Sequence, residues 1–296
     1  MWIQIFIDYL RFERNLSEKT VEAYQTDLKE FEQFYKNLDE ELSWQTVDAD
    51  VIRQWVVAMM DRGNSAGSVG RRLSALRSFY KFLLRRKMVD HDPAHGVVGP
   101  KKEKNLPSFL RESEMDRLLD GDFFSDDFVG ARDHLILLMF YSTGIRLSEL
   151  TGLEMVDVDV DLQQLKVTGK RNKQRVIPFG SEMRLAIEDY VKRRMALGER
   201  LQVSSSFFVE EKSGLGMKPE KVRVIVRKYL SCVTTQKKRS PHVLRHTFAT
   251  SMLNHNANLQ SVKELLGHES LSTTEIYTHT TFEELKEMYN HAHPRA

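Results

Sequence analysis

The chain has 296 residues, of which 41% are hydrophobic and 29% charged. This is typical of about two soluble globular domains and excludes a disordered or fibrous protein. Its single cysteine, Cys232, excludes an internal disulfide and a four-cysteine metal site and favours a reducing compartment. The longest uninterrupted apolar run, residues 135–141, is too short to span a bilayer, and residues 1–10 differ from a signal peptide. We therefore predict a cytoplasmic protein without a membrane partner.

The net charge of +2 conceals opposed blocks along the chain. Residues 1–61 hold 6 basic and 13 acidic side chains, residues 62–104 hold 11 and 3, and residues 217–245 hold 9 and 1. The two basic blocks are consistent with two surfaces that contact nucleic acid, or with two solvated helix faces. Charge alone leaves both interpretations open.

Residues 1–87 show the apolar spacing of four helices. We expect Ser17 to cap the second helix and the third to follow Asp48. The glycine-rich stretch 63–70 is expected to interrupt the helical pattern, and the fourth helix is placed at 68–87. The fourth helix is amphipathic, and its polar side is almost purely cationic. That side carries Arg71, Arg72, Arg77, Lys81, Arg85 and Arg86.

A change of composition after residue 87 predicts two domains. Residues 88–107 contain three prolines and several lysines, which favour a linker between a helical domain at 1–87 and a second domain at 108–296. In the second domain, residues 128–141 indicate a buried helix. Short strands are expected at residues 155–159, 165–167 and 175–178, followed by helices from Ser181 onward. The predicted class is mostly α with a small antiparallel β-sheet.

The motifs that carry chemistry are basic and aromatic. The chain lacks a phosphate-binding G-x-x-x-x-G-K-[ST] loop and a G-x-S-x-G nucleophile elbow, so neither nucleotide hydrolysis nor a serine hydrolase is supported. What it contains, in order, is TGIRLSEL at 143–150, GK at 169–170, PHVLRHTFAT at 241–250, LLGH at 265–268 and Tyr277.

Taken together, these motifs resemble the tyrosine recombinase (phage integrase) family, most closely its bacterial XerC/XerD type, over nearly the whole chain. The resemblance implies a helical N-terminal SAM-like core-binding domain and a tyrosine recombinase catalytic domain. It also implies a site-specific DNA strand-exchange enzyme that needs neither metal nor ATP and works through a 3′-phosphotyrosyl intermediate. The implied partners are double-stranded DNA, three further subunits (its own copies or a paralogous recombinase), and an FtsK-like DNA translocase.

By the same resemblance, two arginines hold the non-bridging oxygens of the phosphate, and a tyrosine is the nucleophile. A lysine gives the leaving 5′ oxygen its proton, and two histidines hydrogen-bond the phosphate and assist proton movement. These catalytic residues are Arg146, Lys170, His242, Arg245, His268 and Tyr277. The implied DNA contacts in the major groove are Arg71, Arg72 and Arg77.

Two residues depart from the family pattern. Arg171 follows Lys170 where glycine is usual, which makes a positive-φ turn costlier and leaves the shape of that hairpin open. Asn256 stands where glycine is common after a helix, and we expect it to accept the left-handed conformation.

Several alternative functions stay open. The role implied by the resemblance is the resolution of chromosome or plasmid dimers, and a mobile-element integrase or DNA invertase of the same family is the alternative. A non-catalytic DNA-binding protein and a type IB topoisomerase are the other classes. A zinc site at His242 and His246 is weakly supported, because no glutamate stands between them as in H-E-x-x-H. The C-terminal segment 283–296 is expected to dock on a neighbouring subunit.

Overall fold

The computed structural model describes residues 1–101, 108–169, 172–198, 204–267 and 282–296. The chain divides into two compact units, Met1–Asn105 and Leu106–Ala296. It is mostly helical with one three-stranded antiparallel sheet, which confirms the predicted fold class. Among the described residues, no helix combines the length and apolar character needed to cross a membrane.

The first unit is built from helices. In chain order these are α1 Trp2–Asp8, a π-helical turn Tyr9–Glu13, α2 Glu18–Leu38, α3 Ala49–Asp61 and α4 Ala66–Arg85. Asp48 caps α3 as predicted, because its carboxylate accepts hydrogen bonds from two backbone N–H groups of the first turn. The Ser17 hydroxyl lies 2.9 Å from that of Thr20, while the backbone carbonyl of Ser17 accepts the first bonds of α2.

The fourth helix begins earlier than its glycines suggested. Ser65 caps it through the Ser68 N–H, so Gly67 and Gly70 lie inside α4 rather than in a break. A glycine inside a helix costs about 1 kcal/mol relative to alanine. Here the apolar residues of the same turns, Val69 and Leu73, are fully buried, and this packing outweighs the cost.

Part of the segment that we expected to be a linker is built into the first unit. Val89, Ala94 and Val97 are buried in its core. Arg77 of α4 donates to the backbone carbonyls of Ala94 and Val97 and so fixes this irregular segment without helix or strand. The prolines of residues 88–101 prevent helix formation, but the apolar residues between them still pack.

The second unit surrounds one buried helix with further helices and a small sheet. In chain order these are α5 Glu112–Leu119, α6 Phe128–Thr143, α7 Leu147–Thr151, a 3₁₀ turn Met155–Asp157, β1 Val158–Asp159, β2 Gln164–Thr168, β3 Gln174–Pro178, α8 Ser181–Ala196, α9 Pro219–Val233, α10 Pro241–Asn254, α11 Leu259–Leu266 and α12 Phe282–Ala292. The strands pair in the order β1-β2-β3, with Val158 opposite Leu165 and Thr168 opposite Gln174.

The apolar run 135–141 forms the centre of α6, and each of its residues is fully buried, as predicted. The expected strand at 155–159 was too long. Its first three residues form a 3₁₀ turn, because Asp157 folds back to accept the backbone N–H of Glu154. The sheet therefore begins at Val158.

The C-terminal residues pack on the second unit itself. Tyr289, Ala292 and His293 are buried, and the His293 ring stacks on Tyr289. Burial lowers the pKa of His293 to about 4, so this ring is neutral at pH 7. Arg295 then donates to three carboxylates from two other helices, those of Asp116, Asp120 and Glu182. The end of the chain is thus anchored by both apolar and ionic contacts.

We predict that Arg295→Gln lowers the free energy of unfolding by about 1–3 kcal/mol, because it removes hydrogen bonds to charged partners. It should also speed amide hydrogen exchange in α12. Arg193→Gln is the matched control, since Arg193 forms exposed ion pairs with Asp126 and Asp189 that contribute little. Equal exchange in α12 for both variants would mean that the ionic contacts do not anchor the C-terminus.

Candidate active site

Arg146 is placed by a glycine turn. Gly144 is the C-cap of helix α6 and has φ of 58°, and a Cβ there would lie 2.5 Å from Phe248. A side chain is therefore excluded on both conformational and steric grounds. Two residues later, Arg146 stands at the N-cap of α7, where its backbone N–H donates to the Glu149 carboxylate at 2.8 Å. This capping box fixes the position from which the Arg146 side chain projects.

Arg245 reaches the same place from α10, which starts with Pro241. Its guanidinium donates to the backbone carbonyl of Gly144 at 2.5 Å and to that of Leu266 at 2.6 Å. Burial, with Arg146 nearby, lowers the pKa of Arg245 to about 10. The side chain still carries its full charge at pH 7, but it is poorly solvated.

Two further arginine contacts complete the arrangement. Arg146 donates through Nη1 to Glu149 at 2.7 Å and through Nη2 to the Gly267 carbonyl at 2.7 Å. Arg175, on β3, donates through Nε to the Leu265 carbonyl at 2.8 Å. Its two Nη atoms lie 2.8 and 2.9 Å from the two oxygens of Glu149. We call Arg146, Arg175 and Arg245 the arginine cluster.

The arginine cluster binds the C-terminal end of α11. Three consecutive carbonyls, those of Leu265, Leu266 and Gly267, each accept a hydrogen bond from a different arginine. The last carbonyls of a helix have no partner within the helix and carry its partial negative charge. The end of α11 thus supplies an electrostatically favourable anchor for three cations.

Glu149 is the carboxylate among these cations. It is 3% exposed and accepts bonds from Arg175 and from the backbone and side chain of Arg146. Burial alone would raise its pKa, but these bonds lower the pKa of Glu149 to about 2. Three guanidinium charges against this one carboxylate leave a local charge of +2.

The described part of the chain brings together some of the predicted catalytic residues. His242 lies one helical turn before Arg245 on α10, and its side chain is exposed. Lys170, His268 and Tyr277 lie outside the described residues. Two of their chain neighbours do lie at the cluster. A Cβ at Gly169 would be 3.2 Å from Glu149, and the carbonyl of Gly267 is held by Arg146.

The two departures from the family pattern have different outcomes. Asn256 has φ of 64°, so the prediction of a left-handed conformation there is confirmed. Arg171 lies outside the described residues. The hairpin is closed by the Gly169 N–H, which donates to the Lys173 carbonyl at 2.8 Å, and a positive φ of 59° falls on Asn172. Asparagine accepts that conformation better than most residues.

The arginines that we expected to contact DNA are engaged within the first unit. Arg71 forms a two-bond ion pair with the buried Asp27, and half of the Arg71 side chain stays exposed. Arg72 contacts Asp27, Glu30 and Asn64 and is largely buried. Arg77 holds the carbonyls of the segment after α4, as described above.

Sequence reasoning missed two members of this site, Glu149 and Arg175. Glu149 stands three residues after the N-cap Arg146, which is the spacing of a capping box. Arg175 precedes Ile177 by two residues on a strand, so alternation puts it on the buried side of the sheet. Among the described residues, no group of three or more His, Cys, Asp or Glu side chains could hold a metal ion.

We predict that Glu149→Gln lowers the free energy of unfolding by about 3–5 kcal/mol at pH 7, because it leaves buried cations uncompensated. The pKa of Glu149 is lower in the folded chain than that of an unfolded glutamate. Its stabilisation is therefore present at neutral pH and fades as pH falls from about 4.5 toward 2. Denaturation of the wild type and the variant across this range tests this. A difference in unfolding free energy between the wild type and Glu149→Gln that stays constant with pH would contradict this prediction. Glu188→Gln, in an exposed pair with Arg184, is the control.

Comparison with known proteins identifies the family. The phage integrase family model matches residues 108–284, and the model of the phage integrase N-terminal SAM-like domain matches residues 3–87. The tyrosine recombinase XerC of Chlorobaculum tepidum is 40% identical, over 100% of this chain and 95% of its own length. That of Listeria innocua is 38% identical, over 98% of this chain and 97% of its own length.

Solved structures share the fold. A crystal structure of XerA recombinase matches with a TM-score of 0.50 and 26% identity, covering 100% of this chain and 99% of that one. The XerH site-specific recombinase, bound to its palindromic difH substrate after cleavage, matches with a TM-score of 0.72 and 18% identity. That match covers 99% of this chain and 81% of the other. The chain therefore belongs to the phage integrase family, the tyrosine recombinases that exchange DNA strands, as its motifs predicted.

Proposed function

We propose that the chain is a site-specific DNA recombinase of the Xer type that cuts and rejoins double-stranded DNA through Tyr277. The observation that carries this proposal is the convergence of Arg146 and Arg245 on the end of α11. That end immediately precedes His268, and Tyr277 follows nine residues later. Only a short stretch of chain therefore separates the helix end that the arginines bind from the proposed nucleophile.

The charge of the cluster suits a phosphodiester. The local charge of +2 faces an anion with charge −1 in the ground state and about −2 in the pentacoordinate transition state. Arg146 and Arg245 each use two of their five N–H groups in the bonds described, which leaves donors for the two non-bridging oxygens. Preorganised donors of this kind contribute most where charge develops during the reaction.

The proposed reaction conserves the phosphodiester energy. The Tyr277 phenol oxygen attacks phosphorus, a tyrosine–phosphate bond to the 3′ side forms, and the bond to the 5′ oxygen breaks. The 5′ oxygen leaves with a proton that we assign to Lys170. His242 and His268 hydrogen-bond the phosphate and assist in removing the proton that the Tyr277 phenol gives up. The reverse step, with a 5′ hydroxyl of another strand, rejoins the DNA. No nucleotide hydrolysis is needed to drive it, and the protein's own cations serve where other enzymes use metal ions.

The biological role of the recombinase is inferred from its relatives. Because proteins named XerC match over nearly their full length at 37–40% identity, we propose that the chain resolves chromosome or plasmid dimers in the cytoplasm. It would do so as a tetramer, of its own copies or with a paralogous recombinase, assisted by an FtsK-like translocase. The cleaved sequence, mapped in the host genome, tests this role. A single chromosomal site supports it, and sites at the ends of a mobile element favour integration instead.

In the first unit, we propose that α4 contacts DNA in the major groove. Arg71 is the strongest candidate, because half of its side chain is exposed beside Asp27 and can turn toward a phosphate or base. Arg72 is less accessible, and Arg77 acts mainly on the segment after α4. A core-binding domain at 1–87, a linker at 88–107 and a catalytic domain at 108–296 remain our proposal for the domain organisation.

The nucleophile is tested with a nicked suicide substrate that traps the covalent intermediate. We expect the wild type to form a protein–DNA adduct and Tyr277→Phe to bind the same DNA without forming it, because phenylalanine lacks the attacking oxygen. Tyr289→Phe is the control, since Tyr289 is a buried tyrosine of the same unit, and it should form the adduct.

An adduct with Tyr277→Phe would show that another residue is the nucleophile. The complete lack of an adduct with the wild type would favour a DNA-binding protein without catalysis. Supercoil relaxation without any preference for a DNA sequence would favour the type IB topoisomerase alternative.

Salt is expected to weaken DNA binding strongly. If the two basic blocks together contact about 6–10 phosphates, affinity should fall by about 10³–10⁵ between 50 and 200 mM salt. Fluorescence anisotropy with a labelled duplex measures the slope. A flat salt response would mean that the basic blocks are solvated faces rather than parts of the DNA interface.

A further inference from the structure

We infer that Arg175 is a positioning residue of the recombination site, which orients Arg146 and the end of α11 without contacting the scissile phosphate. This inference rests on the proposed function, because it concerns the same site. It adds a residue to the six that the family resemblance supplied. It also assigns a function to β3, the strand that returns from the hairpin carrying Lys170.

The contacts of Arg175 join three parts of the site. Its Nε donates to the Leu265 carbonyl in the last turn of α11, two residues before Gly267. Its two Nη atoms donate parallel bonds to the two oxygens of Glu149. The same carboxylate accepts the backbone N–H of Arg146 at the start of α7. Because Arg175 itself stands on β3, one guanidinium fixes the strand, the cap and the helix end relative to one another.

The forked geometry of this contact has a consequence for Arg146. Parallel arginine–carboxylate bonds are strong and directional. With Arg175 on both oxygens, the Arg146 side chain contacts Glu149 through Nη1 alone, and its Nη2 reaches the Gly267 carbonyl. Without Arg175, Glu149 could accept a second bond from the Arg146 guanidinium, which would turn that group away from the substrate.

The accessibility of Arg175 also fits positioning rather than direct contact. Its side chain is 15% exposed, against 28% for Arg146. A Cβ on Gly267 would lie 3.1 Å from Arg175 Nη1, so the guanidinium packs closely against the turn that ends α11. The Arg175 side chain is therefore enclosed by the parts of the protein that it holds.

Arg175→Gln is the principal test, measured as single-turnover cleavage of the suicide substrate together with DNA affinity. We expect cleavage to slow by about 10–100-fold, because small displacements of catalytic groups have effects of this size. DNA affinity should change by less than about 3-fold. Arg175→Lys should recover only part of the rate, since an ammonium group cannot reproduce the fork.

Arg117→Gln is the matched control for structural effects. Arg117 also donates to a carbonyl at the end of a helix, that of Val233 in α9, and forms no contact with the arginine cluster in the described structure. Both variants are assayed below the onset of unfolding of the less stable one. The control should cleave DNA at the wild-type rate even if it loses as much stability as Arg175→Gln.

A double variant separates positioning from an independent contribution. If Arg175 acts through Glu149, Arg175→Gln with Glu149→Gln should cleave within about 3-fold of the slower single variant, because coupled residues are not additive. Multiplication of the two losses would show that Arg175 acts independently of Glu149 and would overturn its role in orienting Arg146. Wild-type cleavage by Arg175→Gln would overturn the inference as a whole. A parallel loss of affinity and cleavage would overturn it too, by making Arg175 a DNA contact. Lack of any adduct with the wild type would instead refute the proposed function.

Discussion

The second unit depends on the meeting of three arginines with the carbonyl end of one short helix. Helix α11 has only eight residues, from Leu259 to Leu266, so its unsatisfied carbonyls form a large part of its polar surface. Arginines from the N-cap of α7, from β3 and from α10 bind three of these carbonyls. Elements that are distant in sequence are thereby held together by backbone groups, which any residue can supply.

This arrangement explains how so much positive charge is tolerated in one place. The arginines would repel one another if left alone, and burial of each is costly. The helix end and Glu149 offset part of that cost, and the remaining positive charge is available to an anionic substrate. The same groups therefore stabilise the resting protein and, in the function that we propose, bind the phosphate. If protein carboxylates neutralised the arginine cluster completely, no positive charge would remain to attract DNA.

Much of this architecture was predictable from the sequence, and the exceptions have physical causes. The long buried helix α6, the hairpin and the cationic helix α4 follow from apolar spacing and from the turn at Gly169. The start of α4 was predicted at residue 68 rather than 66, because Gly67 was taken as part of a break, whereas Ser65 caps the helix before it. The packing of residues 88–101 was not predicted, because the prolines exclude a helix and the few buried apolar residues show no helical or strand periodicity.

For the site, the motifs supplied the arginines but not their partners. Glu149 and Arg175 have functions that depend on contacts across the fold, and a linear motif does not report these. Arg71 illustrates the reverse case: its place on a cationic helix face was evident, whereas its pairing with the buried Asp27 was not. Pairs between side chains more than 40 residues apart require the three-dimensional structure.

Gly267 and the C-terminal helix are both anchored to the second unit, and this limits how far the chain between them can extend. Tyr277 lies ten residues after Gly267 and five before Phe282, the first residue of α12. At about 3.6 Å per extended residue, the five residue steps between this position and Phe282 span at most about 18 Å. In the reaction that we propose, the length of this connecting chain, rather than diffusion, sets the local concentration of the Tyr277 phenol at the phosphate.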